Sequence, residues 1–327
     1  MTKLIIQIPC LNEESTLPIT VAALPRRVEG VDLVEWMVID DGSTDRTAEV
    51  ARAQGVDHIV RHTVRHGLAQ AFASGIDASL RLGADIIVNT DADNQYDASA
   101  IAALVRPILD RRADMVVGDR GTASIAHFSW SKRRLQALGS WVVRQASGME
   151  VPDATSGFRA LSRHAALKLN VVSTFSYTLE TLIQAGNKNI AVESVPVATG
   201  PVLRQSRLFR SVSSYIGQSA ATILRIYSMY RPMRGFLLVG GVLTLSGVAI
   251  GARFLYFWLQ GQGGGKVQSL LLAVILSVVG VQTILAGFLA DLMAINRQLT
   301  EDILFRVKRL ESEAPPVEQH RANPPDA

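Results

Sequence analysis

Short apolar runs rich in Val and Ile alternate, in the N-terminal part of the chain, with longer stretches whose apolar positions recur every three or four residues. Leu4–Ile8, Trp36–Ile39, Ile86–Val88, Met115–Val117 and Ile190–Val197 read as strands, most of them apolar on both faces. Thr44–Gln54, Leu68–Leu82, Ser99–Leu109 and Lys132–Ala146 carry the helical period, and Ser43 or Thr44 is a suitable cap for the first. This alternation predicts an α/β domain: a mostly parallel, Rossmann-like sheet with helices on both faces. Ligands of such sheets bind beyond the C-terminal ends of the strands.

The pattern changes after Leu203. From Arg207 to Tyr230, apolar residues recur at spacings of three and four among Arg207, Arg210 and Arg225. Two readings fit: a basic amphipathic helix in a membrane interface, or a helix packed on the head domain. Two long apolar stretches follow, at 236–259 with Arg253 as the only charge, and at 267–290 with none. Each has the roughly 20-residue length that spans hydrocarbon. The Gly-rich link 260–266 is short, so the two form a hairpin. Arg231, Arg234, Arg297, Arg306, Lys308 and Arg309 flank its outer ends, whereas the link holds only Lys266. The positive-inside bias puts both termini in the cytoplasm. The Pro- and charge-rich end after Glu311 has a disordered composition.

Composition agrees with this division. Hydrophobic residues make up 48% of the 327 residues, and the excess lies after Gly235. The net charge of +4 fits a phosphorylated substrate or an anionic membrane surface, because the basic residues cluster beside the apolar stretches. No basic fold with interleaved aromatics points to nucleic acid. Cys10 is the single cysteine, so no intrachain disulfide forms, and it reads as a small packed residue at a strand end. Met1-Thr2-Lys3 enters a strand-like run with no signal-peptide pattern. His58, His62 and His66 are four apart, but Val56–Val60 reads as strand, which argues against a helical metal face.

Polar clusters stand at four strand ends: Asn12-Glu13-Glu14, Asp40-Asp41-Gly42-Ser43, Asp91-Ala92-Asp93-Asn94-Gln95 and Gly118-Asp119-Arg120. Asp91 and Asp93, one residue apart after a buried strand, have the chemistry to hold a divalent ion against a diphosphate. Arg111-Arg112 and Arg26-Arg27 read as solvated helix ends. Asp153 and Arg159 are candidates for an internal ion pair.

Ile8-Pro9-Cys10-Leu11-Asn12-Glu13-Glu14, Val38-Ile39-Asp40-Asp41-Gly42-Ser43-Thr44-Asp45 and Asp91-Ala92-Asp93-Asn94-Gln95 resemble the corresponding motifs of family 2 glycosyltransferases of GT-A fold. Gly67-Leu68-Ala69, Gly118-Asp119-Arg120 and Asp153-Ala154-Thr155-Ser156-Gly157-Phe158-Arg159 extend the match. With its apolar tail the chain is similar to the polyprenyl-phosphate branch, which includes dolichol-phosphate mannosyltransferases and bacterial undecaprenyl-phosphate sugar transferases.

The resemblance implies a domain order: a GT-A catalytic domain over 1–203, a basic juxtamembrane segment over 204–234, a transmembrane hairpin over 235–293 and a cytoplasmic tail over 294–327. It implies a nucleotide-sugar donor beside Pro9, Leu11, Asn12, Glu13, Asp40, Asp41, Asp91, Ala92, Arg204 and Arg207. Mg²⁺ or Mn²⁺ would be held by Asp91, Asp93 and Gln95. Arg120, Lys132, Arg133 and Arg134 would grip the phosphate of a polyprenyl phosphate acceptor, since a guanidinium fork binds phosphate oxygens in pairs. Asp93, Arg120, Asp153 and Arg133 are marked for the chemical step. The implied reaction is inverting transfer of one sugar at the cytoplasmic face of a bacterial-type inner membrane; assembly as a homo-oligomer stays open. Two departures stand out: Leu11 replaces a common aromatic, and the Arg204–Arg207 stretch lacks a usual Gly. The alternatives are a processive polysaccharide synthase, whose additional spans and Gln-x-x-Arg-Trp stretch are missing here, and an inactive membrane scaffold.

Overall fold

The computed structural model describes residues 1–121, 148–149, 151–172, 177–199, 232–261 and 267–313. Seven strands form one sheet: β1 (Lys3–Cys10), β2 (Leu33–Asp40), β3 (His58–Arg61), β4 (Ile86–Asn89), β5 (Met115–Asp119), β6 (Arg159–Ser162) and β7 (Val192–Pro196), in the order β3-β2-β1-β4-β6-β5-β7. Strand β1 pairs in parallel with both β2 and β4, and β5 in parallel with β7. Strand β6 runs antiparallel to β4 and β5. The expected strands are all present. The reversed one, β6, was not foreseen, because its short run Arg159–Ser162 carries an Arg where a buried strand should be apolar.

Helices α1 (Leu17–Ala23), α2 (Thr47–Ala53), α3 (Leu68–Arg81), α4 (Ile101–Leu109), α5 (Arg163–Lys168) and α6 (Tyr177–Asn187) accompany the sheet. Helix α2 begins later than expected. Residue Arg46 stands at its N-cap without a side-chain cap, and Asp45 Oδ1 instead accepts from Thr47 N at 3.0 Å. Ser43 and Thr44 are engaged with the β1 loop, which is why neither caps the helix. Helix α4 follows a 3₁₀ turn at Ala98–Ala100 that Asp97 caps. The Leu4, Ile6, Ile8, Trp36, Val38, Val88, Leu104, Val116 and Phe158 side chains form one buried core. Helix α3 lies close on the sheet at Gly75, where a Cβ would come 2.8 Å from Ile39 Cδ1.

Parallel pairing puts the C-terminal ends of β1, β2, β4 and β5 on a single rim, and antiparallel β6 begins there. The four polar clusters therefore share an edge with the 153–158 turn. Strand β1 lies between β2 and β4, so the chain's course reverses at that point, where clefts open in such sheets.

A separate compact unit includes α7 (Pro232–Leu259) and the first part of α8 (Val267–Glu313). Both helices are long and apolar enough to cross a membrane. They pack antiparallel through small residues: a Cβ on Gly240 would lie 2.8 Å from Gly280 O, and one on Gly247 would lie 2.7 Å from Ala273 O. Helix α8 does not end near 290, as the apolar length suggested, but runs on to Glu313. The expected helix at Lys132–Ala146, the juxtamembrane segment up to Arg231, link residues 262–266 and the end after Glu313 lie outside the described residues.

Candidate active site

On the β1–β2 half of the rim, neighbouring loops lock each other. Asn12, at φ 55°, donates its N–H to Ser43 Oγ at 2.9 Å, and its Oδ1 accepts from Thr44 N at 2.8 Å. Glu13 N donates to Thr47 Oγ1 at 2.8 Å, Glu14 N donates to Asp45 Oδ2 at 3.2 Å, and Glu14 Oε2 accepts from Arg46 N at 3.1 Å. Glu13 is buried and accepts from Thr16 Oγ1. Asp41 is consumed by the loop after β3. Its Oδ1 meets His62 Nδ1 and His66 N, both at 2.8 Å, and its Oδ2 accepts from Gly67 N at 2.8 Å. The histidines are thus engaged within the fold: His58 is in β3 and pairs with Glu35 of β2, and His62 Nε2 meets Ser74 Oγ.

Asp40 differs from its neighbour. Its Oδ1 accepts from Ser43 N at 2.9 Å, while its Oδ2 has no hydrogen-bond partner and lies 3.3 Å from Arg61 Nε. Of the two adjacent acids, Asp40 is the one whose second oxygen is met by a cation rather than by a hydrogen bond. Pro9 is buried at the end of β1, and Leu11 is half-buried just beyond it.

Across the reversal point, Asp91, Asp93 and Gln95 are half-buried on the turn after β4. Asn94 adopts φ 53° there, and Asp93 Oδ1 accepts from Gln95 N at 3.1 Å. Helix α1 steadies this turn, since Thr20 Oγ1 donates to Ala92 O at 2.9 Å. Among the described residues no group of three or more His, Cys, Asp or Glu converges as a metal cluster. Two carboxylates with a nearby amide leave coordination positions that phosphate oxygens can fill.

Beneath Asp91 lies a polar network. Gln7 Nε2 donates to Asn89 Oδ1, and Asn89 Nδ2 donates to Tyr177 Oη and to Gly157 O, each at 2.9 Å. The Tyr177 ring stacks on Phe72 at 3.9 Å. Gly157 fills the remaining space: a Cβ there would lie 2.8 Å from Tyr177 Oη and 3.3 Å from Asp91 Oδ2. Tyr96 Oη accepts from Gly157 N at 3.3 Å. Burial, with the Asp91 charge adding to it, pushes the Tyr96 phenol up to about 12. The same two causes raise Tyr177 well above the usual phenol range. Both rings therefore stay neutral beside the carboxylate.

Arg120, at the end of β5, donates from Nε to Asp153 Oδ2 at 2.6 Å and from Nη2 to Asp153 Oδ1 at 3.0 Å. Burial opposes its charge, but the Asp153 hydrogen bond and the charges of Asp153 and Asp91 hold the guanidinium above its ordinary value. Burial likewise disfavours the Asp153 anion, and Arg120 outweighs it, keeping that carboxyl below the usual range. The suggested Asp153–Arg159 pair is corrected by this geometry. Arg159 is fully buried and bonds Ser156 O, Ala154 O and Thr178 O at 2.8–2.9 Å, with Thr181 Oγ1 as a further acceptor. Burial lowers its guanidinium to about 10. It clamps the 153–158 turn from within.

The sequence reading passed over Gln7, Asn89, Tyr96 and Tyr177. The signal was present in the first two, as polar residues inside otherwise apolar strands. Lys132, Arg133, Arg134, Arg204 and Arg207 lie outside the described residues.

The sheet and its acidic, arginine-bearing rim define an α/β protein with a charged site along one edge of a mostly parallel sheet. Residues 5–169 match the glycosyl transferase family 2 profile. An uncharacterized glycosyltransferase of Mycobacterium tuberculosis is 34% identical over 195 residues, covering 59% of this chain and 84% of the relative. The undecaprenyl-phosphate mannosyltransferase of Micrococcus luteus is 25% identical over 226 residues, 67% of this chain and 91% of that protein. In fold, the chain is similar to glucosyl-3-phosphoglycerate synthase from Mycobacterium tuberculosis, crystallised with Mn²⁺, UDP-glucose and phosphoglyceric acid. That likeness has a TM-score of 0.55 at 23% identity and covers 69% of this chain and 80% of the other. The chain belongs to glycosyl transferase family 2. It is a glycosyltransferase of GT-A fold followed by two apolar helices.

Proposed function

We propose that this glycosyltransferase moves a single sugar from a nucleotide-sugar to a polyprenyl phosphate at the cytoplasmic face of the membrane, with inversion at the anomeric carbon. The observation that carries this reading is the division of the rim, in a chain that also has two helices long enough to span a bilayer. Asp91 and Asp93 stand on one side of the 153–158 turn and Arg120 on the other. The relative from Micrococcus luteus, named for an undecaprenyl-phosphate substrate, supports the choice of acceptor.

In this reading Asp40, Pro9 and Leu11 face the nucleoside, and Asn12 and Glu13 hold the loops that frame it. Asp91, Asp93 and Gln95 offer hard oxygen donors, which suit Mg²⁺ or Mn²⁺. A divalent ion bound there would offset the charge of the departing diphosphate. Arg120, with Lys132, Arg133 and Arg134, receives the acceptor phosphate. Arg204 and Arg207 close over the donor. The domain order remains the one inferred from sequence, with the juxtamembrane segment over 204–234 and both termini cytoplasmic.

A phosphate monoester has its second pKa near ~6, so the acceptor already carries an attacking oxyanion at neutral pH. No side-chain base is required, and Asp153, bound on both oxygens by Arg120, is not placed as one. The phosphate oxygen forms a bond to the anomeric carbon while that carbon's bond to the diphosphate oxygen breaks. The nucleoside diphosphate leaves with the electron pair. Holding two anions on opposite sides of the reacting carbon favours in-line displacement.

The test uses the full chain in nanodiscs with undecaprenyl phosphate, a panel of UDP- and GDP-sugars, and Mg²⁺, Mn²⁺ or chelator. Lipid-dependent release of the nucleoside diphosphate, one sugar per lipid by mass spectrometry and an inverted anomer by NMR are expected. Lipids carrying many sugars would instead mean a processive synthase. No turnover with any donor would mean a scaffold.

A further inference from the structure

The antiparallel pairing of β5 with β6 aligns Val117 with Arg159, so the residues just after β5 lie beside those just before β6. That register brings Arg120 against the 153–156 segment. Three bonds result: Nε to Asp153 Oδ2, Nη2 to Asp153 Oδ1 and Nη2 to Thr155 Oγ1 at 2.9 Å. The Thr155 hydroxyl donates in turn to Asp153 Oδ1 at 2.9 Å. Asp153 itself is almost fully buried, at 1% side-chain exposure, whereas Arg120 keeps 21%. Every N–H of the Nε and Nη2 edge is thus engaged. Among the described residues nothing bonds Nη1, whose two N–H groups point away from that edge.

We infer that Asp153, assisted by Thr155, is a positioning residue that fixes one edge of the Arg120 guanidinium so that the N–H donors of Nη1 are presented in a preset orientation to the acceptor phosphate. The inference rests on the proposed function for the identity of that phosphate. A free arginine side chain must lose its rotamer freedom on capturing a phosphate, and here the carboxylate has already removed much of it. Asp153 has no remaining role in proton transfer in this arrangement, because its oxygens are spent on Arg120 and Thr155. The chain rigidity comes from below, where Arg159 holds the carbonyls of Ala154 and Ser156.

The inference predicts that Asp153 acts only through Arg120. In the full chain with undecaprenyl phosphate, Asp153→Ala should raise the acceptor KM about tenfold, with the donor KM changed by less than about twofold. Thr155→Val should raise the acceptor KM about threefold, and Thr155→Ser should restore it. In an Arg120→Ala background, Asp153→Ala should change kcat/KM by less than about twofold, a fully non-additive cycle. The double variant should also melt higher than Arg120→Ala alone, since it no longer buries an unpaired carboxylate. Calorimetric titration with farnesyl phosphate gives the same cycle in binding, should turnover of the Arg120→Ala protein be too slow to follow. Additive losses, or equal rises in donor and acceptor KM, would overturn the inference. An unmodified protein with no lipid-dependent nucleotide release overturns the reading beneath it as well, and that outcome is distinct from an additive cycle.

Discussion

The two halves of the rim hold their polar groups differently. On the β1–β2 side, the loops that follow two successive strands bond each other directly: Asn12 to Ser43, Glu13 to Thr47 and Glu14 to Asp45. On the β4–β6–β5 side, the bonds run through the turn before β6 and through helix α6: Asn89 to Gly157 and Tyr177, Arg120 to Asp153, and Arg159 to Thr178. The first half is a self-supporting frame whose carboxylates are spent on its own loops, and even Asp40 Oδ2, which makes no hydrogen bond, is buried against Arg61. The second keeps Asp91, Asp93 and the outer edge of Arg120 accessible, and supports them from a buried layer of polar residues. Partly exposed charge is thus found where the support lies in a buried polar layer beneath it rather than in the neighbouring loop.

The comparison breaks most sharply at Asp93. Asp93→Asn keeps the side-chain shape and the bond to Gln95 N but removes a charge from the accessible half. Activity should fall by about 10²–10⁴-fold, the scale of lost electrostatic stabilisation. Thermal stability should scarcely change. Turnover assays paired with melting curves check both, and a large drop in melting temperature would make Asp93 part of the frame instead.

Arg159→Met probes the supporting layer. It strands the carbonyls of Ala154, Ser156 and Thr178 and should destabilise the head by about 3 kcal/mol or more. Denaturant titration measures this, and a stability near that of the unmodified protein would deny the turn its internal clamp.

A glycine pair sharpens the contrast further. Gly157→Ala pushes a methyl toward Tyr177 and Asp91, and Gly75→Ala pushes one toward Gln7 and Ile39. Each should cost about 1–3 kcal/mol through overpacking. Gly157→Ala should also reduce kcat, by about tenfold, because it displaces Asp91 directly, whereas Gly75→Ala reaches Asp91 only through Gln7 and Asn89 and should cost less. Equal kinetic effects from both would erase the distinction between site and scaffold.

The smallest expected effect is on acid stability. Asp153, Asp45 and Glu35 are held below the ordinary carboxyl range: burial opposes this in each, and hydrogen bonds from Arg120, from Thr47 and from Lys3 with His58, respectively, overcome it. Depressed carboxyl values contribute stability that is present above the unfolded value of about 4 and lost as the pH falls through the folded values. Unfolding by acid should therefore set in below about pH 4, and Asp153→Asn should flatten that loss. Superimposable acid profiles for the variant and the unmodified protein would remove Asp153 from the account.

How much of this was legible depends on where the interactions run. The strands, the shared rim and the Asp91–Asp93 turn follow from apolar runs and from polar residues at their ends, signals contained in a few adjacent positions. Strand β6 was hidden because its pairing partners are distant and its first residue is a buried Arg. The partner of Asp153 could not be read either: Arg159 is nearer in sequence, and only the β5–β6 register brings Arg120 to it. Helix α8 runs beyond its apolar part because residues 291–313, though charged, contain no Pro or Gly to stop it.

The central claim is that the accessible half of the rim binds the donor diphosphate through a divalent ion at the turn after β4. The most direct measurement is a diffraction experiment on the protein with Mn²⁺ and the donor nucleotide, with the ion located by its anomalous signal. The account predicts a peak within coordination distance of Asp93, with Asp91 alongside and the diphosphate completing the shell. A nucleotide bound at the rim with no ion there, or a peak held by other side chains, would contradict it.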